Sequence, residues 1–125
     1  MTVQELYDNI GASYDSAKRI LQMDKLIGKF VLKFLDDKSC EKLLAGRESG
    51  DETAMFEGAH ALKGVCANLG MNTLSGQASE IAEEFRPGKG RTMDDAELDR
   101  RLTELKATYD KTMDGIRQFA AEQCY

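Results

Sequence analysis

Residues 98–119 read LDRRLTELKATYDKTMDGIRQF, and within them Leu98, Leu102, Leu105, Tyr109, Thr112, Ile116 and Phe119 recur at steps of four and three. Such a repeat keeps one stripe of a helix against its neighbours over about six turns, the pattern of a helix-bundle seam. Elsewhere the chain has no period-two alternation of useful length, so nothing argues for a strand. These features predict an all-α fold, an antiparallel four-helix bundle with short additional N-terminal helices.

Working back from this seam, the Pro87-Gly88-Lys89-Gly90 run ends the preceding helix, and residues 86–91 are the clearest loop. That helix buries Leu74, Ala78, Ile81 and Phe85, with Asn72 as its expected cap, and Gly70 separates it from the helix before. A helix from Asp51, the expected N-cap, to about Leu69 contains the only histidine, His60. A short helix over 40–47 precedes it. From Met23 onward, Leu26, Ile27, Phe30, Val31 and Phe34 form a packing face, with Lys25, Lys29 and Lys33 on another side. At the start, Thr2 and Glu5 stand in capping-box spacing for a helix over 3–10 that Gly11 stops, and a second short helix covers 14–22.

A chain of 125 residues has room for one core, so 1–125 reads as a single domain, with the bundle over about 23–121 and residues 1–22 forming the short N-terminal helices. The net charge of −5 offers no excess positive field for nucleic acid or an anionic membrane. No stretch approaches the ~20 apolar residues that span a bilayer, and the opening MTVQELYDN lacks a basic-then-apolar leader. A cytoplasmic monomer is expected. Cys40, Cys66 and Cys124 are odd in number and far apart, which predicts free thiols.

In the histidine helix, at about 100° per residue, Met55, Leu62, Val65, Cys66 and Leu69 gather into a core stripe. His60 falls nearly opposite. Phe56, Glu57, Lys63, Gly64 and Ala67 share its outward side, because residues three, four and seven apart lie on one face. A lone histidine is usually a filler, but its neighbours here are informative. Gly64 costs a helix interior about 1 kcal/mol relative to Ala, on a face where no core packing demands it, which implies that something needs access. Lys63 can stabilise an anion on the ring. Phe56 reads equally as docking surface or packing, and Glu57 can orient the ring, although a solvated acid is the commoner role. A neutral imidazole is already a competent nucleophile near neutral pH.

The run Ala59-His60-Ala61-Leu62-Lys63-Gly64-Val65-Cys66-Ala67-Asn68-Leu69-Gly70 resembles the signature of histidine-containing phosphotransfer (HPt) domains, and the layout of residues 14–119 is similar to theirs. The resemblance implies a phosphorelay carrier of two-component signalling, a phosphotransfer intermediate rather than an enzyme. His60 would take a phosphoryl group from the aspartyl phosphate of a response-regulator receiver domain or from a hybrid histidine kinase, then return it to a receiver aspartate. Lys63 would sit beside the phosphoryl group, Gly64 would leave room for the incoming aspartate, and Gly70 would close the helix. Docking would use Phe56, Glu57, Ala67 and Asn68, with Leu6 and Ile10 from the first helix. Magnesium would belong to the receiver, with no cofactor or metal in this chain. One departure is that the glutamine some members place on the following helix is replaced by Ala82, for which Gln77 is no clear substitute.

Other chemistries lack their parts. One histidine and three scattered cysteines cannot assemble a metal-ligand set. Cys66 lies on the core stripe, where a thiol is inert. The acid pairs Asp94-Asp95 and Glu83-Glu84 read as solvated carboxylates near helix ends. No glycine-rich nucleotide-binding segment is present for a kinase. The remaining rival is a helical docking or adaptor module that transfers no phosphate.

Overall fold

A computed structural model describes residues 1–123, and among them every regular element is an α-helix. They are α1 (Val3–Ile10), α2 (Tyr14–Leu21), α3 (Asp24–Phe34), α4 (Ser39–Ser49), α5 (Glu52–Asn68), α6 (Asn72–Glu84) and α7 (Asp95–Gln123). Several boundaries have visible local causes. Thr2 and Glu5 form the expected reciprocal capping box, and Gly11 ends α1 in the left-handed conformation. Asp51 caps α5 by accepting from the Ala54 N–H at 3.0 Å. Asn72 does not cap α6. It is the first helical residue, and its amide donates to the Ser16 hydroxyl at 3.4 Å, because the Met71 backbone already starts the helix.

The 29-residue α7 is the spine. Along its far half, Gly28 and Phe34 of α3 meet Phe119 and Tyr109, and along its near half Arg47 of α4 pairs with Asp99 at 2.9 Å. Thus α3 and α4 run end to end, antiparallel to α7, as one column of the bundle. α5 and α6 form an antiparallel hairpin through Gly70 and Met71, and α6 returns to α7, where Glu80 pairs with Arg101. Six of the seven expected seam residues are buried, and Tyr109 is half-buried with its ring edge-on to Phe34.

Three features of this packing differ from the sequence expectation. Phe30 is not in the core but is 37% exposed, together with Ile20 and Met23. Leu6 and Ile10 are buried, because α1 packs antiparallel on the far half of α7 at Gly115, where an added Cβ would lie 2.3 Å from the Ile10 Cγ2. Glu84 is not solvated. It is buried at the end of α6 and accepts from the Thr92 and Met93 N–H groups, the Thr92 hydroxyl, Arg91 and Lys89. Burial pushes its carboxyl up, but these donors outweigh burial and hold it down at about 2. The loop between α6 and α7 is therefore pinned to one carboxylate.

Candidate functional site

The site is built on α5, whose inner face is fixed by close helix approach. A Cβ on Gly58 would lie 2.7 Å from the Leu43 N and 2.8 Å from the Ser39 carbonyl, so only glycine lets α4 approach this near. Met55, Ala59, Leu62 and Cys66 fill the same inner side. With that face committed, His60 is exposed, as its angular position requires. Across the other flank the Ser75 hydroxyl of α6 donates to the Lys63 carbonyl at 2.9 Å, fixing α5 one turn beyond the histidine.

The outward neighbours behave differently from one another. Phe56 is half-buried and its ring stacks on His60, with centroids 5.5 Å apart and planes inclined by 19°. Gly64 is exposed, and a Cβ there would meet nothing within 4 Å, so the protein's own packing imposes no demand for glycine. Lys63 makes no ion pair among the described residues, and Ala67 and Asn68 are exposed beyond it. Glu57 does not orient the ring. Its carboxylate pairs with Lys42 of α4 at 3.2 Å, because that register brings the lysine across α5.

Ala82 is buried in the α6 core. The Gln77 Oε1 is buried without a hydrogen-bond partner, and Gln77 sits one turn from Glu80 on the side of α6 that faces α7. Gln77 therefore gives the site no replacement amide. Leu6 and Ile10, in the core against α7, offer no surface to a partner.

A surface that sequence reasoning missed lies at the C-terminal end of α5. A groove of about 530 Å³ runs between α2, α3 and α5, lined by Ile20, Phe30, Phe34, Val65 and Asn68, with Lys33 and Asp37 at its margin. Its walls are set by backbone contact. Ser13 at the head of α2 donates its N–H to the Gly70 carbonyl at 2.8 Å, and a Cβ on Gly70 would lie 2.3 Å from the Ser13 carbonyl oxygen. Within α2 only Ala17 is buried, which leaves Ile20 without a core position. A smaller groove, of about 210 Å³, lies on the other side of Phe56 and is lined by Thr53, Phe56, Phe85 and Pro87.

Cys40 and Cys66 are buried free thiols, the first pushed up to about 11 by burial and the second higher still, so neither offers a reactive thiolate. Cys124 lies outside the described residues. Among the described residues no group of His, Cys, Asp and Glu is arranged to hold a metal ion, and no helix is long and apolar enough to cross a membrane.

In comparison with known proteins, the family model for the Hpt domain matches residues 15–115. No curated protein and no solved structure matches. The matched span runs from α2 into the second half of α7 and contains the exposed His60 with Lys63 and Gly64 beside it. The chain belongs to the Hpt domain family, the phosphotransfer modules of two-component signalling.

Proposed function

We propose that the protein is a phosphorelay carrier in which His60 alternately receives and donates a phosphoryl group. In the receiving step a ring nitrogen of His60 forms a bond to phosphorus as the bond to the aspartyl oxygen of a partner receiver breaks, and the aspartate leaves as a carboxylate. The reverse step regenerates the imidazole. Phosphoryl transfer of this kind asks for alignment and charge stabilisation more than covalent machinery. Lys63 supplies positive charge one turn from the ring, and the open ground over Gly64 admits the partner's reacting carboxylate. Magnesium belongs to the receiver, and the chain acts as a phosphotransfer intermediate, not as a complete enzyme.

The observation that carries this reading is the vacancy over Gly64 beside an exposed His60. The partner is a receiver domain or a hybrid histidine kinase, seated over Phe56, Glu57, Ala67 and Asn68. We extend its footprint into the groove walled by Ile20 and Phe30, which replaces Leu6 and Ile10 in the docking surface. The module works as one domain, a monomer in the cytosol.

Incubation with a phosphorylated receiver or with phosphoramidate should place an acid-labile, alkali-stable label on the protein, absent from His60→Gln. A receiver that binds without label appearing from either donor would favour the adaptor instead.

A further inference from the structure

The His60 imidazole has no hydrogen-bond partner among the described residues. Glu57, the carboxylate best placed in sequence to orient it, is engaged by Lys42. A nucleophile on an exposed side chain with no polar tether samples several rotamers, and each unproductive one lowers the rate of in-line attack. The Phe56 stack at 5.5 Å and 19° restrains this ring. We infer that Phe56 is the positioning residue of the phosphoryl acceptor, holding the imidazole by its face so that its edge, with both nitrogens, stays presented to the partner.

Two further observations suit Phe56 to this role. The phenyl ring is itself held, since it is half-buried against the core and borders the same small groove as Phe85 and Pro87. The loop beyond that groove is locked through Glu84, and Arg91 of the loop reaches Glu52 on the first turn of α5 at 3.6 Å. A restrained phenyl can restrain an imidazole, whereas a mobile one could not. The second is electrostatic. As the ring nitrogen donates its electron pair to phosphorus, the imidazole gains positive character, and the face of an aromatic ring attracts a cation. The stack thus strengthens along the reaction, the condition under which a contact raises rate and not only affinity.

This inference rests on the phosphorelay reading, and its test separates the two. Phe56→Leu keeps an apolar side chain and removes the aromatic face, while Phe56→Tyr retains the face. Labelling by phosphoramidate, which needs no protein docking, should slow about 2- to 10-fold in Phe56→Leu, the range expected for losing one aromatic pair, and recover in Phe56→Tyr. Transfer from a phosphorylated receiver should fall at least as much. In NMR spectra, Phe56→Leu should lose the ring-current shift of the His60 ring protons and show averaged His60 side-chain couplings. Wild-type phosphoramidate labelling in Phe56→Leu, with only receiver transfer impaired, would make Phe56 a docking residue and overturn the inference. Wild-type protein that takes no label from either donor would sink the relay reading alone, and the His60 couplings would still decide whether Phe56 fixes the ring. Unchanged couplings in Phe56→Leu would overturn it.

Discussion

The Tyr7 hydroxyl donates to the Leu69 carbonyl at 2.6 Å, joining α1 to the C-terminal end of the helix that carries His60. Burial pushes the ionisation of Tyr7 well above the ordinary tyrosine range, so the group remains a donor across physiological pH. Tyr7→Phe leaves a buried carbonyl unsatisfied and should lower the unfolding free energy by about 1–3 kcal/mol. Urea denaturation measures this, and an unchanged midpoint would show that water replaces the hydroxyl without loss.

Gly64→Ala should separate stability from function. Beyond the backbone of its own turn nothing lies within 4 Å of the added Cβ, and alanine favours a helix interior, so the thermal midpoint should rise, corresponding to about 0.5–1 kcal/mol. Transfer from a receiver should fall about tenfold or more, because the methyl group stands where the partner's carboxylate approaches. Faster or unchanged transfer would show that the open ground above Gly64 has no part in the reaction.

Lys63→Ala should slow receiver transfer by about ten- to a hundredfold, the scale seen when one preorganised charge is withdrawn from a transition state. Because its ammonium makes no ion pair among the described residues, the far-UV circular dichroism should match wild type. Equal transfer rates would remove the lysine from the mechanism.

Phe30→Glu tests the groove. The side chain is 37% exposed, so stability should move by no more than about 0.5 kcal/mol. The KM for a phosphorylated receiver should rise about tenfold, with phosphoramidate labelling unaffected. A receiver KM equal to wild type would place the docking footprint elsewhere.

The Glu84 network has a pH signature. Its folded-state value of about 2 lies below the ordinary 4.5, so its stabilising contribution is complete above 4.5 and disappears as the pH falls from there through about 2. Glu84→Gln should therefore cost about 2 kcal/mol at pH 7, and the difference from wild type should shrink towards pH 2. Urea midpoints of the two proteins across this interval check the sign, and a constant gap would mean that the carboxylate's charge is not what matters.

The α7 seam, the Thr2–Glu5 box and the outward direction of His60 follow from helical periodicity alone, because each depends on residues within one or two turns. The place of Leu6 and Ile10 is not legible in the sequence, because an apolar helix face does not say whether it meets a partner or its own chain. The answer lay more than a hundred positions away, in the missing side chain of Gly115. Phe30 and Ile20 stayed hidden for the converse reason: the groove between them exists only once α2, α3 and α5 have met. Glu84 and Glu83 are adjacent and identical in type, yet one turn of the following loop buries the first and leaves the second exposed.

The shared spine also implies an order of assembly. The α4–α5 and α5–α6 pairs are consecutive hairpins whose contacts close short loops, whereas α1 and α3 also need the far half of α7, and the Met1 amino group meets Glu122 at 3.1 Å. Because closing long loops costs more entropy and slows folding, the histidine-bearing hairpins should form first, and α1 should seat last. On a ribosome, α1 would wait until the stretch of α7 around Gly115 had emerged. Native-state hydrogen exchange would then find the α1 amides opening well before those of α5, and the reverse order would contradict this sequence of events.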